Sequence, residues 1–229
     1  REGIDYSGVS GWQIGESGAS NIVSGNDDHG IQIQSDTTNT TISHNYIGTG
    51  PNGIGSLPNQ GHGIRIDEEV NTLTINDNTI RNNTEAGISL FNNQDSLATI
   101  LRNNISDNIE IGIDLARNGL TPNDSGDIDT GPNTLQNHPF IISSTTRSGS
   151  TDIQFELDTN TAGNYLVEFF ENQVQEPSGF GDGENYLCSD TITHTGGGSE
   201  SFIITCSENP TVDYFITSTA TQNPSVGVY

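Results

Sequence analysis

The sequence predicts an all-β protein, a right-handed parallel β-helix (solenoid) over residues 1–138 followed by a small antiparallel β-sandwich over residues 139–229. Three observations lead there. A Gly-Ile tetrad recurs four times in the first segment, asparagines fall at fixed offsets between the tetrads, and most of the aromatic residues lie in the second segment.

The tetrads are GIQI (residues 30–33), GIRI (63–66), GISL (87–90) and GIDL (112–115), spaced by 33, 24 and 25 residues. Within each interval two isoleucines stand five apart: Ile42 and Ile47, Ile75 and Ile80, Ile100 and Ile105. Asn45, Asn78 and Asn103 each precede the second member by two residues, as Asn21 precedes Val23, and Asn26, Asn83 and Asn108 follow it by three. About nine extra residues in the 48–60 segment (GTGPNGIGSLPNQ) explain the long interval, and without them the period is near 24. Three short alternating segments per unit, with Asn at the corners and no helical stretch, fit one coil of a parallel β-helix. Ile31, Ile42, Ile47 and Ile64 then begin inward-facing stacks that rise roughly 4.8 Å per coil. Asparagines in register can hydrogen-bond along the axis, each amide both donating and accepting, while the backbone takes a left-handed bend. Leucine-rich repeats share the period but require a Leu-x-x-Leu-x-Leu frame, whereas the inward positions here are Ile.

Residues 1–138 hold 4 of the 15 aromatics but 19 Ile and 20 Asn, while residues 139–229 hold 11 aromatics, 7 Ile and 6 Asn. A thin Ile core therefore gives way to an aromatic-filled one. Alternating strands are expected at residues 152–157, 165–170, 186–193, 201–206 and 214–219, forming an Ig-like sandwich that would cover the open end of the solenoid. Cys188 and Cys206 flank an expected hairpin, and in an extracellular chain their even number favours a disulfide.

Composition narrows the function. Thirty acidic residues face six basic ones, all arginine, for a net charge of -24. A polyanion would be repelled, which excludes nucleic acid as a partner. Hydrophobic content is 30% and no run approaches the roughly 18 apolar residues of a membrane span. High negative charge and the absence of free-thiol chemistry point to a secreted protein, and a chain that begins and ends within its pattern reads as a fragment of a larger one.

The Asn-x-Ile, Asn and Gly-Ile pattern resembles the pectate-lyase-like β-helix repeats of large bacterial secreted and cell-surface proteins. Residues 112–139 (GIDLARNGLTPNDSGDIDTGPNTLQNHP) are similar to a block that often ends such helices. Residues 167–187 (VEFFENQVQEPSGFGDGENYL) and 216–221 (ITSTAT) resemble the module attached to them. The resemblance covers most of residues 20–221 and implies architecture; it implies almost nothing about activity, because one fold hosts many functions.

Four constellations could carry chemistry. Asn123, Asp124, Asp127 and Asp129, in the string NDSGDIDTG, offer the hard oxygens that calcium takes in sixes to eights, although the glutamate of an EF-hand is missing; the alternative is an acidic loop whose carboxylates cap turns. Asp27, Asp28 and His62 invite comparison with β-helix polygalacturonases, which use an acid pair and a Gly-His-Gly motif, and inverting hydrolysis needs carboxylates roughly 6.5 to 9.5 Å apart. The basic substrate motif of that family is missing here, and His29 and His62 both sit just before a repeat Gly-Ile. Lyase chemistry would need a base among Arg65, Arg81 and Arg102, which occupy three different repeat positions. His44, Asp77 and Arg102 should instead stack in register as a structural charge ladder. The Asn-x-Ser/Thr triplets at Asn39, Asn82, Asn104 and Asn123 arise by chance in a chain this rich in Asn.

The expectation is a non-enzymatic structural, adhesive or glycan-binding segment of a secreted or surface-anchored bacterial protein. Its partners would be a polysaccharide or a cell-surface protein, it would be a monomer, and calcium would be its one cofactor. Residues 48–60 would form the protruding contact loop. The rivals are a carbohydrate-active hydrolase or lyase using Asp27, Asp28 and His62, and a trimeric phage tail fibre.

Overall fold

The computed structural model describes residues 1–8, 10–34, 37–67, 70–90, 97–175 and 179–222. Phe91 and residues 176–178 of the module segment lie outside the described residues.

Among the described residues the first segment winds through four coils and opens a fifth. The first coil carries β1 (Ile4–Tyr6), β2 (Gln13–Ile14) and β3 (Ile22–Val23), and the second β4 (Ile31–Ile33), β5 (Thr37–Ser43) and β6 (Tyr46–Ile47). The third carries β7 (Ile64–Ile66), β8 (Val70–Asn76) and β9 (Thr79–Arg81), and the fourth β10 (Ile88–Leu90), β11 (Ala98–Leu101) and β12 (Asn104–Ser106); β13 (Ile113–Leu115) follows. Strands one coil apart pair in parallel, giving sheets of order β1-β4-β7-β10-β13, β2-β5-β8-β11 and β3-β6-β9-β12.

The registers turn the sequence pattern into columns. Ile4, Ile31, Ile64, Ile88 and Ile113 stack on one another, as do Ile14, Ile42, Ile75 and Ile100. Val23, Ile47, Ile80 and Ile105 form a third column. These columns meet in one continuous apolar core, in which the middle coils are fully buried. Burying an isoleucine side chain contributes about 1.5–3 kcal/mol, so a narrow core repeated coil after coil holds the solenoid.

Two features of the repeat have direct steric or hydrogen-bond causes. The tetrad glycines face the next coil so closely that a Cβ on Gly30, Gly63 or Gly87 would lie 2.6–2.7 Å from the carbonyl oxygen of the glycine above. The asparagines form two ladders. In one, Asn21, Asn45 and Asn78 each donate Nδ2–H to the next Oδ1 at 2.9–3.0 Å, ending on Asn103, while Asn45 and Asn78 also bond the Ile14 and Ile42 carbonyls of the preceding coil. The other runs Asn26, Asn59, Asn83, Asn108. Asn59 was not visible in the period because it ends the inserted segment; the chain leaves the coil at Gly48, loops out with Ile54 and Leu57 exposed, and returns in register at Asn59.

The second segment contains β14 (Phe140–Arg147), β15 (Ser150–Thr159), β16 (Gly163–Asn172), β17 (Asn185–His194), β18 (Gly198–Cys206) and β19 (Phe215–Gln222). They form two antiparallel sheets, β14-β15-β18 and β17-β16-β19, around Phe155, Phe169, Tyr165 and Ile153. Strand β14 was not anticipated, since its outer residues Ser143 to Arg147 are exposed and carry no apolar alternation. The expected hairpin between the cysteines is replaced by a crossing. Gly196, Gly197 and Gly198 all have positive φ, and this turn carries the chain from one sheet to the other. The Cys188–Cys206 disulfide, with Cα atoms 5.7 Å apart, therefore joins the two sheets.

The connection after β13 and the sandwich together close the last coil. The Asn133 side chain donates to the Ala98 carbonyl and accepts its N–H, at 2.8 and 2.7 Å, as a neighbouring strand would. Gly183 exchanges two backbone bonds with Ile105 on β12. On the inner coils His44 and Asp77 donate N–H groups to the carbonyls of Asn76 and Leu101 one coil on; at the last coil the Arg102 N–H finds Glu168 of β16 instead. Unpaired strand edges are thereby covered at that end.

Candidate functional site

Asp5, Gln32, Arg65, Ser89 and Asp114 form one row on the side of the first sheet that alternation turns away from the Ile columns; Asp5 is exposed, Gln32 and Arg65 are half-buried, and Ser89 and Asp114 are buried. Arg65 and Gln32 both donate to the Asp67 carboxylate. At the first coil Tyr6, which packs against the Ile core rather than on this row, meets the half-exposed Trp12 edge to face, ring centroids 5.1 Å apart.

Beside this row lies the histidine pair. His29 and His62 sit on consecutive coils just before the stacked glycines, buried and parallel, with ring centroids 5.2 Å apart. His29 Nδ1 accepts the His62 N–H at 3.0 Å and His62 Nδ1 accepts the Ala86 N–H at 3.1 Å. His29 Nε2 lies between Asp28 Oδ1 at 3.1 Å and Arg65 Nη1 at 2.8 Å. The His62 ring is a neutral tautomer with its proton on Nε2, which is 2.9 Å from Glu85 Oε2, a contact that is close but lacks hydrogen-bond alignment. Burial pushes the pKa of both rings down, that of His62 to about 4, aided there by His29, Arg117 and Arg65. Gly61 makes room for the stack, since a Cβ there would come within 2.3 Å of His29 Nδ1.

The candidate hydrolase residues are thus distributed unevenly. Asp28 joins the histidine pair through His29, whereas Asp27 is exposed. His62 is held between coils by its own backbone-bonded ring. Sequence reasoning missed Glu85 beside it, and Glu110, which lies near Glu85 and Asp114. Glu110 lies where Asp28, Gly61 and Glu85 recur, two residues before each repeat Gly, and burial, Glu85 and Asp114 raise its carboxyl. That recurrence was the available signal.

The expected charge ladder forms on another corner. Arg102 holds Asp77 through two bonds of 2.9 and 3.0 Å, and His44 occupies the same register one coil earlier. All three residues adopt left-handed φ of 49–58°. Burial alone would raise the Asp77 carboxyl, but bonds from Arg102 and Asn76 hold it below its ordinary value. Arg81 pairs with Asp107 at 2.6 Å, so the arginines proposed for lyase chemistry are engaged with carboxylates.

Of the candidate calcium ligands, Asp124, Asp127 and Asp129 converge, each offering a carboxylate oxygen within 4.8 Å of the others. One oxygen of Asp124 and one of Asp129 are buried without a hydrogen-bond partner. Burial raises Asp127 and Asp129, and Asp124 adds to the effect on both. Asn123 is engaged elsewhere, its amide exchanging bonds with the backbone of His138 at 2.8 and 2.9 Å.

Three parallel sheets closed by inward Ile columns and Asn ladders define a parallel β-helix. Comparison with protein families agrees: residues 4–126 match the family described as right handed beta helix region, more than half of the chain, and the chain belongs to that family. No curated protein matches it.

Proposed function

We propose that this chain is a non-enzymatic, glycan-binding segment of a secreted or surface-anchored bacterial protein, with the outer face of the first sheet as its binding surface. The observation that carries the reading is the histidine pair. Both rings are buried, neutral and bonded into the backbone, so the residues best placed for acid–base work brace the coils instead. A general base must reach the proton it abstracts at a matched pKa, and His62 at about 4 does neither.

The first coil and this face together suit a sugar chain. Beside Tyr6, Trp12 offers a half-exposed ring with the apolar flat side that stacks on pyranose C–H groups, and on the outer face Asp5, Gln32 and Arg65, the last two bonded to Asp67, offer polar groups for hydroxyls. A solenoid repeats such groups along a straight face, which fits a polymeric ligand. The inserted loop, with Ile54 and Leu57 exposed, is the proposed contact for a cell-surface protein. Calcium at Asp124, Asp127 and Asp129 would brace the connection between the solenoid and the sandwich. The disulfide fits an extracellular location, and among the described residues no helix is long and apolar enough to cross a membrane.

The rival is a carbohydrate-active enzyme, favoured by the gathering of Asp28, Glu85, Glu110 and Asp114 near one face. A glycan array tests the proposal together with a turnover assay on the bound sugars. Binding without turnover supports it; turnover abolished by Asp28→Asn overturns it.

A further inference from the structure

A cavity of about 530 Å³ separates the last coil from the β17-β16-β19 sheet. Its size falls within the range of small-molecule sites, roughly 300–1,000 Å³. One wall is the end of the solenoid core, with Ile105, Ile113 and Leu120, and Phe170 and Phe180 face it. Arg102, His138 and Asp182 also line it, and into this largely apolar space the sandwich directs Glu168, which is 1% exposed.

Glu168 is poorly supplied with donors. Its two oxygens share a single N–H, that of Arg102, at 3.2 Å each, and the Arg102 guanidinium is turned to Asp77. A buried carboxylate normally accepts two or three bonds to remain charged. Directly opposite on β19, in register with Glu168, stands Thr219, whose hydroxyl oxygen is buried without a hydrogen-bond partner. Two polar groups on adjacent strands thus face one largely apolar cavity, both short of partners.

We propose that this cavity binds a small organic cation with an apolar body, an alkylammonium in its simplest form, whose ammonium is held by Glu168 and Thr219 while its hydrocarbon covers the end of the Ile core. The ammonium supplies the donors both groups lack, and the net charge of -24 draws cations to the protein. Desolvation lifts the Glu168 carboxyl to about 7, so an ammonium ligand drives it to the ionised form and binds more tightly at pH 8 than at pH 6. The site is independent of the glycan face and does not rest on that reading.

Calorimetry of the full chain at pH 8 with hexylammonium chloride, hexanol and hexanesulfonate tests the proposal. Saturable 1:1 binding of hexylammonium is expected, with hexanol and the sulfonate weaker. Glu168→Gln should weaken binding roughly tenfold or more, and Thr219→Leu, which fills the space and leaves the carboxylate, should do likewise. Should either variant fail to fold, the carboxyl carbon resonance of Glu168 in the unaltered protein must still shift on titration. Absence of saturable binding, equal binding of hexanol, indifference to both substitutions, or an unmoved Glu168 resonance overturns the assignment.

Discussion

The imidazole of His29 lies on that of His62 with planes 15° from parallel, and each accepts a backbone N–H from the following coil. The sign of its pH effect follows. A ring whose pKa is depressed in the folded state contributes stability that is complete above its unfolded value, 6.5, and that declines as pH falls toward the folded one. For His62, at about 4, the loss amounts to roughly 3 kcal/mol. Because Glu168 opposes it over an overlapping range, urea unfolding should show this decline between pH 6.5 and 4 in Glu168→Gln, flattened when His62→Gln is added.

Glu168 acts in the opposite direction. Its carboxyl rises from 4.5 to about 7 on folding, so its contribution is complete below pH 4.5 and is lost as pH rises toward 7. Glu168→Gln should remove this loss while leaving the acid-side decline in place, as measured by the same unfolding series.

The ladders were legible in the sequence because a period of about 24 forces equivalent residues into register; the inward columns begin one coil earlier than expected, at Ile4, Ile14 and Val23, and Ile64 continues the Ile31 column. What escaped has local causes. Asn59 was hidden by the insertion before it, β14 by its polar surface, and the inter-sheet path of the disulfide by glycines whose positive φ permits a crossing as readily as a hairpin. The histidine pair was seen only as two positions before Gly-Ile; its backbone bonds depend on coil spacing, which residue order does not display.

Asn78 tests the ladder. Its amide donates to Asn103 and to the Ile42 carbonyl and accepts from Asn45, all buried. Asn78→Ala leaves these partners unsatisfied at about 1–3 kcal/mol for each group, so a loss of at least roughly 2 kcal/mol is expected in denaturant titrations.

Calcium binding at Asp124, Asp127 and Asp129 should raise the melting temperature and chelator should reverse it. At one hundred times the dissociation constant the gain is about 2.7 kcal/mol, or very roughly 5–10 °C for a chain of this size. Asp127→Asn should remove the response; identical melts with calcium and chelator would refute the site.

Reduction of Cys188–Cys206 should destabilise the sandwich by about 3 kcal/mol, given a closed loop of 18 residues. Hydrogen exchange should show the loss in β15 to β18 and spare the central coils β4 to β9.

The central claim is that the first-sheet face binds glycan and performs no chemistry on it. Incubation of the full chain with an oligosaccharide that it retains on an array, followed by mass spectrometry of that sugar, tests it most directly. The account predicts intact sugar, with binding weakened by Trp12→Ala and unchanged by Asp28→Asn. Cleaved or unsaturated products that disappear with Asp28→Asn would contradict it.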